Sequence, residues 1–231
     1  MKLMFPVSER FLSLQGEGAN VGAPEYFIRL SGCNLAEHFG GCSFCDTRYA
    51  QRREQGELLD LETILSGIPR DYPGRACISG GEPLYHEGII DLLNGIVEQT
   101  GCFVSVQTNG SLPIPKYSPP GECQGKAVHW GVSFAMDVKC PGSKMEEHNL
   151  FENISRLQQN DQLKFVLVDR QDYDYAKEVL KKYSCRGSIF FQPAYQILEP
   201  KQLAEWILQD KLPVRLSLQQ QKILWGIRRG V

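Results

Sequence analysis

"ACISGGEPLYHEGIIDLLNGIVEQTGCFVSVQTNG" (76–110) decides the fold class. Its first four residues are a short buried run suited to a strand. Residues 86–100 then place Ile89, Leu92, Leu93 and Ile96 at helical spacing, with Gly101 where a C-terminal cap would stand. Residues 102–108, "CFVSVQT", return to a strand pattern. Strand, helix and strand at this separation predict a parallel βαβ unit.

The alternation continues outward. Residues 128–138, 163–168, 188–191 and 214–218 are strand-like. "YDYAKEVLKKY" (173–183) is helix-like, and a further helix has Pro200 near its start and Leu203, Trp206 and Ile207 on one face. Residues 111–127, rich in Pro and Gly, read as a long loop. There are too few βα units for an eight-fold barrel. The expected architecture is therefore α/β, an open, partial parallel βα barrel. Functional residues in such folds lie at the C-terminal ends of the strands. "SGGEP" (79–83), "QTNG" (107–110), "DVKCPGS" (137–143) and "QP" (192–193) all fall there.

The chain of 231 residues suits one core of ordinary size. Apolar residues are 42% and charged residues 23%, as in a soluble globular protein. A formal charge of −2 gives no field for nucleic acid. No apolar run reaches the roughly 18 residues of a membrane span, and no signal peptide is visible at the N-terminus. A cytoplasmic location follows as an expectation. Eight cysteines there argue for thiols, metal or catalysis rather than disulfides.

Three of the eight crowd into "GCNLAEHFGGCSFCDT" (32–47): Cys33, Cys42 and Cys45. A structural zinc site would need a fourth ligand, for which His38, Cys140 or His148 are candidates. A [4Fe–4S] cluster held by three thiolates would instead leave one iron open, as catalysis requires. The cysteines alone leave both readings standing. An open iron can bind S-adenosylmethionine and cleave it by one electron to a 5′-deoxyadenosyl radical. Such an enzyme needs an aromatic group near adenine, for which Phe44 is placed, and close backbone approach, which "SGGEP" with its two glycines and Glu82 offers.

With the cysteine loop, "FLSLQGEG" (11–18), "YFIRLSGCNL" (26–35), "CSFCDT" (42–47), "ISGGEP" (78–83), "VQTNGS" (106–111), "DVKCPGS" (137–143), "FQP" (191–193) and "RLSLQ" (215–219) span nearly the whole chain. Together they resemble the radical S-adenosylmethionine superfamily and, within it, the 7-carboxy-7-deazaguanine synthase family of queuosine and deazapurine biosynthesis. The resemblance implies a truncated βα barrel working as a homodimer. It implies a carbon–nitrogen lyase that converts 6-carboxy-5,6,7,8-tetrahydropterin to 7-carboxy-7-deazaguanine with loss of ammonia. It also implies a [4Fe–4S] cluster, S-adenosylmethionine, magnesium, and an electron donor such as flavodoxin or ferredoxin. One domain would span 1–231, with a cluster-binding loop at 33–45 and a C-terminal segment capping the substrate.

Carried over by motif, Cys33, Cys42 and Cys45 would hold the cluster and Thr47 the magnesium. Phe44, Cys45, Asp46, Gly81, Asp137, Val138, Lys139, Gln192, Pro193, Ala194 and Tyr195 would meet S-adenosylmethionine. Leu14, Gln15, Gly16, Arg29 and Ser79 would contact the pterin. The chemistry agrees at several positions. Arg29 lies in an apolar strand, where an unpaired charge is costly and a substrate carboxylate is a fitting partner; a structural pair with a nearby Glu is the alternative. Thr47 as a single protein ligand suits magnesium, while a turn or cap role is the plain reading. Gln15 and Glu17 sit between glycines, where their side chains could read a pterin edge or form a solvated turn. Cys77, Cys102, Cys123, Cys140 and Cys185 read as ordinary thiols.

Three departures stand out. The Cys-x8-Cys spacing is widened by "AEHFGG" (36–41), read as a longer cluster loop. Gln221 stands where the family usually has His, so it could hydrogen-bond but not carry a proton. The chain also continues to Val231, which leaves the terminal carboxylate without a transferred role. The competing readings are another small radical S-adenosylmethionine enzyme, such as a glycyl-radical activase, and a non-enzymatic zinc or iron–sulfur protein.

Overall fold

The computed structural model describes residues 2–69, 74–119 and 127–231. A nine-stranded sheet forms its frame. The strands are β1 (Met4–Leu14), β2 (Pro24–Leu30), β3 (Glu57–Asp60), β4 (Arg75–Gly80), β5 (Phe103–Thr108), β8 (Val132–Val138), β9 (Gln162–Leu167), β10 (Ser188–Pro193) and β11 (Arg215–Leu216). Their order is β11-β10-β9-β8-β5-β4-β2-β1-β3. From β2 to β11 every pairing is parallel, whereas β1 pairs antiparallel with both β2 and β3. The open parallel α/β sheet expected from 76–110 is present. The antiparallel N-terminal addition was not expected.

The helices are α1 (Asn34–Phe39), α2 (Leu61–Ser66), α3 (Ile89–Thr100), α4 (Glu152–Arg156), α5 (Arg170–Lys182), α6 (Pro200–Asp210) and α7 (Gln220–Trp225). In α3, Ile89, Leu92, Leu93 and Ile96 are buried, and Gly101 caps the end at φ 71° with its N–H on the Val97 carbonyl. The strand expected over 214–218 is only Arg215–Leu216, and three other boundaries differ for visible reasons. α3 starts at Ile89 because Gly88 is left-handed. α5 starts earlier, at Arg170, because the Asp169 side chain accepts the Asp172 N–H. The run 128–138 is broken at Trp130–Gly131, giving a short β7 (Ala127–His129) before β8. β7 pairs with β6 (Lys116–Ser118), so the segment expected to be a loop contributes a second, two-stranded sheet.

Strand alternation gives the main sheet two unlike faces. Ile28, Leu30, Ile78, Val106, Phe134 and Phe165 belong to one apolar cluster with the helices. Their neighbours Phe27, Arg29, Ser79, Gln107, Asp137, Lys164 and Gln192 line a cavity instead. The sheet curls around that side. β2 and β9 are separated by three strands, yet Glu25 of β2 and Gln162 of β9 both bond the turn that follows β1.

Candidate active site

A cavity of about 570 Å³ opens at the C-terminal ends of the parallel strands. Of the residues expected to meet substrate or cofactor, Leu14, Gln15, Gly16, Arg29, Ser79, Phe44, Asp46, Gly81, Asp137, Lys139, Gln192, Ala194 and Tyr195 line it, together with Cys33, Cys42, Cys45 and Thr47. Val138 and Pro193 do not: both are buried at strand ends, and the Val138 side chain belongs to the core.

The cysteine loop is held by backbone hydrogen bonds, with Ser43 Oγ donating to Gly142 O at 2.7 Å and Asn34 Nδ2 to Ser111 Oγ at 2.9 Å beside them. Cys33 N–H donates to Gln51 O at 2.8 Å, and Ser43 N–H to Ser143 O at 3.1 Å. Gly81 N–H donates to Leu30 O and Glu82 N–H to Gly32 O, both at 2.9 Å. A Cβ on Gly81 would collide with the Gly32 carbonyl, which explains a glycine at this contact. Glu82 itself turns away from the cavity. It is fully buried and accepts from Thr108 Oγ1, the Asn109 N–H and the Leu84 N–H at 2.6–2.9 Å, tying "SGGEP" to "QTNG".

No three His, Cys, Asp or Glu side chains converge to hold a single metal ion among the described residues. The candidate fourth zinc ligands are also engaged elsewhere: His38 with Tyr85, His148 stacked on Phe39, and Cys140 buried in the core. Three separated thiols around one cavity fit a cluster, in which each thiolate meets a different iron. Burial pushes the Cys33 and Cys42 thiols up, so a cation must displace their protons to form thiolates. Cys77, Cys102, Cys140 and Cys185 are free and lie off the cavity. Cys123 lies outside the described residues.

A belt of alternating charge runs along the cavity wall. Lys139 pairs with Asp137 at 2.7 Å, Asp137 with Lys164 at 3.4 Å, and Lys164 with Glu17 at 2.9 Å. Gln219 bridges Glu17 and Asp46 at 2.8 and 3.2 Å, and Lys222 closes the belt on Asp46 at 2.6 Å. Burial opposes charge on Asp137, Lys139 and Lys164, but their mutual pairing wins, lowering the acid and raising both lysines. At Asp46, desolvation would raise the carboxyl, yet Lys222 holds it at about 2. Lys164 and Lys222 were given no role from the sequence, and Gln219 entered only as the last residue of "RLSLQ" (215–219). Lys164 carried the same signal as Arg29, a charge inside a buried strand.

Arg29 is paired within the protein. Its Nε donates to Glu9 at 2.6 Å, and Nη1 reaches Ser79 Oγ at 3.4 Å. Glu9 also accepts from Tyr49 at 2.8 Å and pairs with Arg229 at 3.5 Å. The structural pair is thus present, while Arg29 still lines the cavity with Nη donors to spare. The Thr47 hydroxyl donates to Asp46 at 2.9 Å and caps no helix, so its lone pairs remain free. The Gln15 amide is consumed internally: Nε2 donates to Glu25 at 2.7 Å and Oε1 accepts the Glu17 N–H at 3.3 Å. Gln221 lies against Gly16, and its buried Oε1 has no partner.

Residues 27–117 match the family described as the Radical SAM superfamily. The 7-carboxy-7-deazaguanine synthase of Chlorobaculum tepidum is 34% identical over 226 residues, covering 95% of this chain and 94% of that protein. The protein of the same name from Clostridium acetobutylicum is 31% identical over 232 residues, covering 98% and 99%. The crystal structure of QueE from Escherichia coli superposes with a TM-score of 0.66 at 23% identity, covering 94% of each chain, a likeness of fold.

Proposed function

The chain belongs to the 7-carboxy-7-deazaguanine synthase family, and on that premise we propose that it converts 6-carboxy-5,6,7,8-tetrahydropterin to 7-carboxy-7-deazaguanine, releasing ammonia as a carbon–nitrogen lyase. The observation that carries this reading is the meeting, in one cavity, of three thiols with the strand-end motifs of four different βα units. A glycyl-radical activase or a zinc protein has no use for the "LQGEG" turn placed there.

When bound, a [4Fe–4S] cluster on Cys33, Cys42 and Cys45 supplies one-electron cleavage of S-adenosylmethionine. The protein's part is placement. Phe44–Asp46, Gly81, Asp137, Lys139, Gln192, Ala194 and Tyr195, which line the cavity, would meet the cofactor. The Nη edge of Arg29 takes the substrate carboxylate, while Glu9 on its Nε keeps the guanidinium plane fixed. Thr47 would offer one oxygen to magnesium, an ion that suits a site with few protein ligands. Fixed placement is what directs hydrogen removal to one carbon, because small misalignments cost orders of magnitude in rate.

A single functional unit over 1–231, a homodimeric assembly, flavodoxin or ferredoxin as electron source and a cytoplasmic setting complete the proposal. No helix among the described residues is long and apolar enough to cross a membrane. The test is anaerobic turnover of the carboxytetrahydropterin by reconstituted, reduced protein. The expected result is brown protein with about four irons per chain and formation of the deazaguanine. Colourless protein with stoichiometric zinc and no product would overturn it.

A further inference from the structure

Glu25 is fully buried, carries a carboxyl group and takes no part in the chemistry above. It sits on the cavity-side face of β2, two residues below Phe27 and four below Arg29. Three donors converge on it: Gln15 Nε2 at 2.7 Å, Asn20 Nδ2 at 3.0 Å and Ser105 Oγ at 3.2 Å. Two of these belong to the two ends of one turn, Gln15 and Asn20. The other side of that turn is held from the far part of the sheet. Gly18 N–H donates to Ser217 Oγ at 3.1 Å, Ala19 N–H to Gln162 Oε1 at 2.9 Å, and Lys164 pairs with Glu17 at 2.9 Å. The turn therefore straps the open barrel from β2 to β9.

We propose that Glu25 is a positioning residue for substrate: it locks the 15–20 turn in the one hydrogen-bonding arrangement that presents the turn to the pterin. This rests on the reading of residues 14–16 as a substrate edge. The reason lies in donor and acceptor count. A carboxylate only accepts, so it compels both Gln15 and Asn20 to point their amide nitrogens inward. That fixes Gln15 Oε1 as the acceptor for the Glu17 N–H. A neutral amide at position 25 would add two donors to a site already filled with donors. Either Gln15 or Asn20 would then have to flip, and each flip loosens the turn from its near end, that of Gln15 by leaving the Glu17 N–H facing another donor. The far-end bonds from Gln162, Lys164 and Ser217 would remain, so the fold would keep its strap but lose its setting.

The test compares wild type, Glu25→Gln and Asn20→Ala in two ways, by amide hydrogen exchange and by steady-state kinetics of the reconstituted enzyme. In Glu25→Gln, exchange across 16–20 should accelerate about tenfold, as expected for a stranded buried donor, with β4 and β5 unchanged. The KM for the pterin should rise about tenfold while the KM for S-adenosylmethionine stays put. Asn20→Ala, which removes one donor and no charge, should give the same pattern at about threefold and carries the test if Glu25→Gln does not fold. Unchanged exchange across 16–20, or equal increases in both KM values, would overturn the proposal. Wild type that makes no product from the pterin would overturn the functional reading instead, and the exchange measurement would still decide whether Glu25 governs the turn.

Discussion

The cysteine loop and the turn after β1 both line the cavity, yet they are built in opposite ways. In the loop, backbone groups of Gly32, Cys33 and Ser43 do much of the anchoring, with Ser43 Oγ on Gly142 O and Asn34 on Ser111, and the three thiols are in no disulfide, Cys33 Sγ accepting only from Asn109 Nδ2 at 3.8 Å. In the turn, side chains do the anchoring. Gln15, Glu17 and Asn20 are bound to Glu25, Lys164, Gln219 and one another. The first arrangement keeps reactive side chains available for a metal centre. The second spends its side chains, and the N–H groups of Glu17, Gly18 and Ala19 with them, on shape. The expectation that the Gln15 amide reads a pterin edge must be weighed against this: that amide already has partners on both ends.

The comparison is broken most severely at the loop. Changing Cys42 to Ala removes a ligand that nothing nearby replaces, and 5′-deoxyadenosine formation should fall to background, whereas Cys102→Ala and Cys185→Ala should stay within a few-fold of wild type. Robust formation by the Cys42 variant would end the cluster assignment. Arg29 lies between the two regions. Arg29→Lys keeps the charge but not the planar fork, and the pterin KM should rise about tenfold; an unchanged KM would mean that Arg29 serves only Glu9. Thr47→Val nearly preserves shape and removes one oxygen. Turnover should lose its response to added magnesium while the cluster's spectrum persists, and an identical magnesium response in both proteins would return Thr47 to a turn role.

A smaller effect concerns stability beneath the loop. Burial raises the Glu82 carboxyl from 4.5 to about 7, against the hydrogen bonds from Asn109, Leu84 and Thr108. Between those values the folded protein holds a proton that the unfolded chain has released. Stability contributed by this group is therefore full below about 4.5, declines as pH rises to about 7, and is level above that. Its size is on the order of 3 kcal/mol at most. Chemical denaturation of wild type and Glu82→Gln across this window should show the extra decline in wild type alone; parallel curves would remove Glu82 from the account. The smallest effect belongs to the turn's neighbour. Gln221 has a buried Oε1 without a partner beside Gly16. Gln221→Leu should weaken pterin binding by about 1 kcal/mol and Gln221→His should be tolerated, as read by titration with the pterin. No change in the Leu variant would make this a packing residue.

Sequence alone determined what depends on near neighbours in the chain. The cap at Gly101, Pro200 at the start of α6 and the Cys-x8-Cys-x2-Cys loop rest on spacings within one segment, the βαβ order on the succession of neighbouring ones, and each is present. The strand-end motifs were legible for the same reason, since a parallel sheet puts every such end on one side. Only the tertiary structure decided which face of each strand became cavity wall. "LKFVLV" looked uniformly buried, but curling of the sheet turns Lys164 towards Glu17, 147 residues away, and Asp137. The pairing of Arg29 with Glu9 followed from antiparallel register in a β1 that the sequence did not announce. The burial of Glu25 under the 15–20 turn followed from the meeting of β2, β5 and the strap. Side-chain partners across a sheet are set by register and curvature. Those are properties of the assembled strands, and no single strand's sequence contains them.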